Sequence, residues 1–355
     1  MGKEKNDIHL LVIRLSAMGD VAMTVPVLHA LVQQHPEVRV TVLSRAFFKP
    51  LFEDIPRISF YQADIRGRHK GVRGLYKLYR ELKALKINAV ADLHNVLRSN
   101  VLKTFFRAGR FPVVQIDKGR SEKRALTRSR EKKFRQLTST HQRYADVFAR
   151  LGYAVDLSRP VFSPKLELSP EIWNNLGREN RAERGEQWIG IAPFAAFEGK
   201  MYPLDLMEKV LEKLDRKGKY TLLLFGGGKK EEQVLQALQS KYENAVSIAG
   251  KLSFKQELRL ISNLDLMVAM DSGNAHLAAM YGVKTITLWG VTHPYAGFYP
   301  FGQDRDYALL ADRKKFPLIP TSVYGKKLPE GYENAMRTIS PEKVEEKILQ
   351  VLTAR

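Results

Sequence analysis

Asp271, Ser272 and Gly273 interrupt two regular patterns in the sequence. Before them lies an apolar run, 264–270, that is too short for a helix and predicts a buried strand. After them, small apolar residues recur at helical spacing. A helix amino terminus offers free N–H groups and the positive end of its dipole to a phosphate, and glycine lets the backbone approach closely. The turn could therefore bind a phosphorylated ligand. Alternatively, Ser272 or Asp271 only caps the helix and His276 only packs in the core.

The elements around this turn define where such a ligand would bind. The helix after it stops at Gly282, and Lys284–Trp289 predicts a second strand, so the stretch forms a βαβ unit. In an open parallel sheet, ligands bind at the carboxyl ends of the strands, which is where Asp271 and Ser272 would lie. Strands and helices alternate in the same way through both halves of the chain, which predicts an α/β fold with parallel sheets.

A second turn of this kind lies near the amino terminus. Residues 9–15 predict a buried strand, and it leads through Gly19 and Asp20 into a helix. Asp20 would stand in the first turn of that helix, where capping is the more common role of a carboxylate. Pro26 lies within the helical pattern and is expected to kink it, because proline removes a backbone hydrogen bond.

The length of 355 residues suits two domains. A proline-rich stretch with little periodicity around residue 165 marks the predicted boundary. The predicted domains are an amino-terminal one over 1–165 and a carboxyl-terminal one over 166–335, whose first helix would cover 172–184. A last helix, in 336–355, is expected to pack back towards the amino-terminal domain.

The net charge of +20 is unevenly distributed. Residues 1–170 contain 32 Lys and Arg against 15 Asp and Glu. Within them, the segment 118–135 has nine basic and two acidic residues and little apolar content, which predicts a mobile loop or a solvated arm. Such a field favours nucleic acid, an anionic membrane surface or a phosphorylated substrate as the partner.

The composition excludes several kinds of site. There is no cysteine, so disulfides and thiolate metal sites are impossible. P-loop and GxGxxG fingerprints are absent, and no cluster of His, Asp or Glu has zinc spacing. No stretch has the length of a membrane span, and the amino terminus carries a strand rather than a signal peptide. We therefore expect a cytoplasmic protein without a metal or other cofactor.

Three segments together carry a family resemblance: LLVIRLSAMGDVAMTVPVLHAL, LLLFGGGKKEEQV and DLMVAMDSGNAHLAAMYGVKTITLWG. The most specific motifs within them are Gly19-Asp20, Thr24-Val25-Pro26, Asp271-Ser272-Gly273 and His276-Leu277-Ala278. In this order and at these distances, they resemble glycosyltransferase family 9, the heptosyltransferases of lipopolysaccharide core assembly. The resemblance covers nearly the whole chain.

This resemblance implies the GT-B fold, in which two Rossmann-like domains face each other across a cleft. Family members bind an ADP-activated heptose in the carboxyl-terminal domain and an acceptor sugar on a lipid in the amino-terminal domain. Transfer inverts the anomeric centre and needs no metal. The implied location is peripheral, at the inner face of the inner membrane, with the lipopolysaccharide core or lipid A and anionic lipid as partners and no nucleic acid.

The resemblance also assigns roles to single residues. Asp20 matches the general base that takes the proton of the attacking hydroxyl, and Lys200 matches the lysine that grips the diphosphate. Asp271 and His276 would order the loop or bind the sugar, and Glu231 would contact the nucleotide ribose. The remaining candidates are, on the donor side, Ser272 and Gly273 and, on the acceptor side, Gly19, Thr24, Lys123, Arg124 and Arg128.

Two other functions compete with this interpretation. A nucleotide-sugar epimerase or hydrolase on the same fold would turn over the donor without an acceptor. A nucleic-acid-binding protein would use the basic first half, although the segment 118–135 lacks interleaved aromatic residues apart from Phe134. The chain also departs from the family pattern, because Ala195 and Ala196 stand where Thr or Ser contacts the diphosphate. Another nucleotide sugar is therefore the alternative to ADP-heptose.

Overall fold

The computed structural model describes residues 7–176 and 186–354, which belong to two compact units. Unit 1 comprises Met1–Gly119 and Thr138–Ser163, and unit 2 comprises Arg120–Leu137 and Pro164–Arg355. The chain therefore enters unit 2 twice. What each predicted domain binds stays a prediction.

Strands and helices alternate along the described chain. The strands are β1 (Ile8–Ile13), β2 (Val38–Ser44), β3 (Ile58–Gln62), β4 (Ala89–Asp92), β5 (Val113–Gln115), β6 (Gln187–Ala192), β7 (Tyr220–Leu224), β8 (Ala245–Ser247), β9 (Leu266–Met270), β10 (Lys284–Trp289) and β11 (Ala308–Leu310). The helices are α1 (Met18–Ala22), α2 (Thr24–Gln34), α3 (Gly71–Lys83), α4 (Leu97–Ala108), α5 (Arg120–Thr127), α6 (Thr140–Arg150), α7 (Pro170–Leu176), α8 (Leu204–Asp215), α9 (Lys229–Gln239), α10 (Phe254–Ile261), α11 (Gly273–Ala279) and α12 (Pro341–Thr353). Of the predicted helix over 172–184, positions 177–184 lie outside the described residues.

The described part of unit 1 is built on a five-stranded parallel sheet in the order β3-β2-β1-β4-β5. On one side, β1 pairs with β2, with Ile8 beside Val38, and on the other it pairs with β4, with Leu10 beside Ala89. The interior of β1 is buried, as expected for a central strand covered on both faces. The strand order reverses between β1 and β4, and open α/β sheets bind ligands in the crevice at such a switch point.

The first crossover of unit 1 contains two helices rather than one. Helix α1 ends before Met23, and α2 begins at Thr24. Pro26 lies in the first turn of α2, where its missing N–H would have had no intrahelical acceptor. The kink expected at Pro26 is therefore present as a break at Met23, in the turn before the proline, because Pro26 cannot donate to the carbonyl four residues earlier.

Unit 2 repeats this architecture with a longer sheet. Its described strands are parallel in the order β11-β10-β9-β6-β7-β8, so the order reverses between β6 and β9. In β9, Leu266, Val268 and Met270 alternate into the large core that covers one face of this sheet. Tyr202 lies in the same core and donates its hydroxyl hydrogen to Ile339 O at 2.8 Å. The α/β fold class with two parallel sheets is confirmed.

The carboxyl-terminal helix α12 packs within unit 2. Its buried residues Val344, Ile348 and Val351 belong to the core of that unit, and the helix lies against α8, β9 and β10. The apolar face of the helix is thus used within unit 2, and an approach of 336–355 to the amino-terminal domain stays a prediction.

The basic segment 118–135 is neither a mobile loop nor, for most of its length, part of unit 1. It forms α5, whose Leu126 is buried. Lys132 Nζ donates to the carbonyl oxygens of Leu126, Leu318 and Pro320 at 3.1, 2.9 and 2.7 Å. Three acceptors satisfy all donors of an ammonium group, so the segment is anchored in unit 2 despite its charge.

Candidate active site

Lys200 and Asp271 form a buried ion pair at the switch point of unit 2. Asp271 directly follows β9, and Lys200 follows β6, the neighbouring strand across the reversal of strand order. Lys200 Nζ lies 2.9 Å from Asp271 Oδ2, and the two side chains are only 12% and 8% exposed. Charges so far removed from water need a partner. The pair therefore fixes a cation at the place where α/β sheets bind ligands.

Close backbone packing holds Lys200 in position. The short 3-10 helix Glu198–Lys200 lies against the end of β10, where a Cβ at Gly290 would come within 2.2 Å of Gly199 O. Gly325 has a φ of +82° and approaches the lysine stem so closely that a Cβ there would lie 2.4 Å from Lys200 Cδ. The ammonium group is therefore preorganised by its surroundings.

The turn after Asp271 opens helix α11. Ser272 is the N-cap residue, but its side chain makes no capping bond, and its buried Oγ has no hydrogen-bond partner among the described residues. A buried hydroxyl without a partner costs free energy unless a ligand or water satisfies it. His276 is buried on the same helix. The predicted strand, turn and helix around Gly273 are present, whereas donor contacts of these residues stay predictions.

The glycine-rich turn after β7 positions Glu231. Gly228 precedes α9 with a φ of +88°, a conformation that favours glycine. Glu231 Oε2 accepts from Gly227 N at 2.8 Å, so one carboxylate oxygen stabilises the turn itself. A contact between Glu231 and a ribose stays a prediction. Ala195 and Ala196, which follow β6, have no hydroxyl to offer a phosphate.

Asp20 and Arg14 form the corresponding ion pair in unit 1. Arg14 directly follows β1 and its side chain is 6% exposed, whereas Asp20 lies in α1 and its side chain is 25% exposed. Arg14 Nη2 lies 2.5 Å from Asp20 Oδ2, and the same oxygen accepts from Ala17 N at 3.4 Å. Within residues 7–176 and 186–354, Oδ1 of Asp20 has no hydrogen-bond partner. The carboxylate is thus oriented through one oxygen and available through the other.

Arg14 is a functional candidate that sequence reasoning missed. Its Nη1 donates to Leu93 O at 2.7 Å, just after β4, and its guanidinium lies 5.9 Å from the centre of the Tyr144 ring. The Tyr144 hydroxyl in turn donates to Asp20 O at 3.2 Å. A signal was available, because Arg14 is a charged residue that ends the apolar run of β1, and buried charges are almost always paired.

His94, after β4, lies beside this pair as a neutral ring. Burial, reinforced by the positive charge of Arg14, lowers the pKa of His94 to about 4. Its Nδ1 accepts from Leu15 N at 3.4 Å, and its Nε2 lies 3.5 Å from Ser16 Oγ. The ring therefore supports the backbone between β1 and α1 without adding a second cation.

The structure divides the predicted acceptor-side residues between the two units. In unit 1, Gly19 lies in α1 next to Asp20, but Thr24 is completely buried and its hydroxyl donates to Val21 O at 2.7 Å. Thr24 therefore shapes the start of α2, and a contact with an acceptor stays a prediction.

The other three candidates, Lys123, Arg124 and Arg128, belong to unit 2 and not to the predicted first domain. Lys123 is buried, with its Nζ 4.2 Å from the centre of the Phe298 ring. Arg128 Nε donates to Glu131 O at 2.6 Å, whereas Arg124 is exposed on α5. Local apolar and carbonyl contacts thus occupy two of the three cations.

Two Rossmann-like units, each built on a parallel sheet, are the architecture of the GT-B class of nucleotide-sugar-dependent transferases. The sequence profile of glycosyltransferase family 9 (heptosyltransferase) matches residues 75–317. The chain belongs to this family and is a glycosyltransferase. The matched region contains Lys200, Glu231 and Asp271, whereas Asp20 precedes it.

Known proteins resemble the chain over nearly all of its length. Lipooligosaccharide heptosyltransferase 2 of Haemophilus influenzae is 27% identical over 359 residues, which cover 97% of this chain and 99% of that protein. A solved glycosyl transferase family 9 structure from Veillonella parvula has a TM-score of 0.74 at 20% identity, covering 99% and 98% of the two chains. The E. coli ADP-heptose lps heptosyltransferase II has a TM-score of 0.67 at 21% identity, covering 97% and 98%. The solved structures show that the fold is shared.

Two further properties of the described residues concern partners. No helix in 7–176 or 186–354 is long and apolar enough to cross a bilayer. In the same residues, no three His, Asp or Glu side chains converge in a way that could hold a metal ion. Membrane association and independence from metal stay predictions.

Proposed function

We propose that this glycosyltransferase moves a heptose from ADP-heptose to a lipopolysaccharide core or lipid A acceptor, with inversion at the anomeric carbon. The observation that carries the proposal is the Lys200–Asp271 pair at the switch point of unit 2, inside the region that matches the family. The Haemophilus influenzae relative is a lipooligosaccharide heptosyltransferase, and the E. coli structure is an ADP-heptose lps heptosyltransferase. Both support this choice of donor and acceptor.

On the donor side, Lys200 would donate to the diphosphate. The leaving diphosphate gains negative charge in the transition state, and a preorganised cation stabilises that charge most where water is excluded. Asp271 holds the ammonium before the donor binds, and Ser272 Oγ, buried without a described partner, offers a further hydrogen bond to a phosphate oxygen.

On the acceptor side, Asp20 would act as the general base. The attacking hydroxyl loses its proton as its oxygen bonds to the anomeric carbon, and Asp20 Oδ1 can receive that proton while Arg14 holds Oδ2. The bond between the sugar and the diphosphate breaks on the opposite face of the ring. Because attack and departure take place on opposite faces, the configuration inverts.

The test combines calorimetry with product analysis. Wild-type protein is titrated with ADP, UDP, GDP and CMP, and is then incubated with ADP-heptose in the presence and absence of a lipopolysaccharide acceptor. We expect selective binding of ADP and a heptosylated product only when the acceptor is present. A preference for UDP or GDP would reject the heptose donor. Consumption of ADP-heptose without an acceptor would favour the epimerase or hydrolase.

The proposal places the enzyme at an anionic membrane surface. In unit 1, Val72 and Tyr76 are 62% and 50% exposed on α3, next to the exposed cations Arg73 and Lys77. Exposed apolar side chains among cations are typical of a helix that lies in a membrane interface, and anionic lipid adds attraction for each cation. This face of α3 is therefore the proposed contact with the membrane.

Vesicle co-sedimentation tests that surface. We expect binding to phosphatidylglycerol vesicles but not to phosphatidylcholine vesicles, and weaker binding for Arg73→Gln/Lys77→Gln. The control Lys209→Gln/Lys343→Gln removes the same charge from exposed positions of unit 2 and should bind as the wild type does. Binding to DNA or RNA that survives physiological salt would instead support the nucleic-acid function.

A further inference from the structure

A cavity of about 480 Å³ lies in unit 2 along β11 and beside the segment that follows β10. None of the candidate active-site residues lines it. Its walls are aromatic and cationic: Phe134 comes from the basic segment, Tyr295 and Tyr299 follow β10, and Arg305 and Arg313 flank β11.

Arg313 is fixed against the aromatic wall. Its guanidinium lies 3.5 Å from the centre of the Phe134 ring, and its Nε donates to Ile319 O at 2.9 Å. Phe134 in turn packs against Tyr295, with ring centres 4.9 Å apart. Among the residues that the structure describes, the two terminal nitrogens of Arg313 have no hydrogen-bond acceptor. Arg313 therefore presents a planar and rigid set of donors.

Arg305 supplies a second positive charge at the rim of the cavity. Its Nη1 donates to Gln136 Oε1 at 2.7 Å, and its guanidinium lies 5.9 Å from the centre of the Tyr299 ring. The acidic neighbour Asp306 pairs with Lys347 instead. In the described part of the chain, no carboxylate lies within ion-pair distance of Arg305 or of the other cavity arginine.

His293 completes the wall as a neutral ring. Burial, with Arg313 nearby, lowers the pKa of His293 to about 4, and its Nδ1 accepts from Tyr295 N at 3.1 Å. The lining thus combines two guanidinium groups, which have no described counterion, with flat apolar surfaces. Arginine binds phosphate and carboxylate through paired hydrogen bonds, and aromatic walls suit the faces of a ring-shaped ligand.

We propose that this cavity is a subsite for an anionic saccharide, a sugar ring that carries a phosphate or a carboxylate, and that this sugar is a unit of the acceptor. The assignment to the acceptor rests on the proposed function. ADP-heptose carries its negative charge on the diphosphate, which Lys200 would bind. The strand β11, which the cavity adjoins, lies two strands from β9 in the same sheet, and adjacent strands are about 5 Å apart, so β11 lies about 10 Å from the strand that ends at Asp271.

Three matched variants test the subsite. Arg305→Gln is the deciding one, because its described side-chain bond is to Gln136 alone and its loss leaves the Phe134 wall in place. Arg313→Gln removes the second charge. Lys315→Gln is the control, with the same charge change on a nearby exposed side chain. The full-length proteins are titrated, with and without ADP, with glucose 6-phosphate, glucuronate, glucose and inorganic phosphate.

We expect wild type and Lys315→Gln to bind at least one anionic sugar more tightly than glucose or inorganic phosphate. Each arginine variant should lose about tenfold or more of that affinity, as expected for a lost hydrogen bond to a charged group. The preference between glucose 6-phosphate and glucuronate identifies the anionic group. Unchanged binding in Arg305→Gln would overturn the subsite, and so would inorganic phosphate that binds as tightly as the anionic sugars.

Transfer kinetics separate this inference from the proposed function. In the full reaction, Arg305→Gln should raise the acceptor KM about tenfold and leave the Kd for ADP unchanged. If ADP binds and heptose is transferred while anionic sugars bind equally well to all variants, the subsite alone fails. If anionic sugars bind in an Arg305-dependent manner but ADP does not bind, the transferase proposal fails and the cavity remains a site for anionic saccharides.

Discussion

In each unit an ion pair lies where the strands of its sheet end, and the cation and the anion exchange places between the two pairs. In unit 1 the first residue after β1 is the cation Arg14, and it holds the more exposed carboxylate of Asp20. In unit 2 the first residue after β9 is the carboxylate Asp271, and it holds the ammonium of Lys200. In each unit the group fixed directly after a buried strand orients a partner of opposite charge that a short helix presents.

This difference separates the two chemical tasks of a transferase. A carboxyl group can receive a proton only in its anionic form, and a cation stabilises the negative charge of a leaving diphosphate. Each pair contains a buried charge, Arg14 in unit 1 and Asp271 in unit 2, and an isolated buried charge is costly, so each is held by its counterion. The comparison therefore predicts that Asp20 governs turnover and that Lys200 governs donor binding.

The largest effect is expected for Asp20→Asn. Loss of the base should lower kcat by a factor of about 10²–10⁴ and leave the Kd for ADP unchanged, because Lys200 and Asp271 remain intact. A transfer assay and ADP calorimetry on the same preparation measure both quantities. Asp146→Asn, on the exposed side of α6, is the matched control and should retain wild-type activity. An Asp20→Asn enzyme with full kcat would remove Asp20 as the base.

Lys200→Ala should weaken donor binding. Loss of a charged donor to the diphosphate should weaken ADP binding by a factor of about 10–100. Because Asp271 would remain buried without its partner, the free energy of unfolding should also fall by about 3 kcal/mol. Calorimetry and urea denaturation measure the two effects, with Lys209→Ala as an exposed control. Wild-type ADP affinity in Lys200→Ala would place the phosphate site elsewhere.

Much of this architecture follows from local sequence patterns. The run before Asp271 is a buried strand and the turn after it opens a helix, because apolar spacing and a polar break are both local signals. The rhythm of strands and helices correctly predicts two parallel sheets. By contrast, β11 has only three residues, at the edge of the sheet of unit 2, and gives too short a pattern to be seen.

The remaining features depend on contacts between distant parts of the chain. The composition of the basic segment is typical of a solvated arm. In the structure, however, Lys132 Nζ donates hydrogen bonds to the carbonyls of Leu318 and Pro320, nearly two hundred positions later. Similarly, Arg14 meets Leu93 O and Asp20 only because β1 and β4 are adjacent in the sheet. The number and order of charges along the sequence indicate neither of these contacts.

The buried ring of His94 should make unit 1 less stable in acid around the Arg14–Asp20 pair. Its pKa is about 4 in the folded protein and about 6.5 when exposed, so between these values the unfolded chain binds more protons. Stability that is present above pH 6.5 should therefore be lost as the pH falls towards 4, by about 2 kcal/mol between pH 7 and pH 5. Urea denaturation at both pH values should show a smaller loss in His94→Asn. An equal loss in the variant would show that the ring is not the group concerned.

The carboxyl group of Glu257, in unit 2, should change the stability with pH in the opposite direction and by the smallest amount. It lies in the first turn of α10, half-buried and with no cation at ion-pair distance in the described chain, and burial raises its pKa from 4.5 to about 7. Between these values the folded protein binds more protons, so this contribution to stability is present below pH 4.5 and is lost as the pH rises through 7. Because the side chain is partly exposed, we expect only about 1 kcal/mol. Glu257→Gln should therefore have a larger free energy of unfolding than wild type at pH 8 and an equal one at pH 4.5. An unchanged free energy of unfolding at pH 8 would show that the carboxylate is already solvated. The buried His293, whose pKa is about 4, also makes unit 2 less stable in acid. The pH dependence of the wild type therefore sums effects of both signs, and only the comparison of each variant with the wild type assigns an effect to one residue.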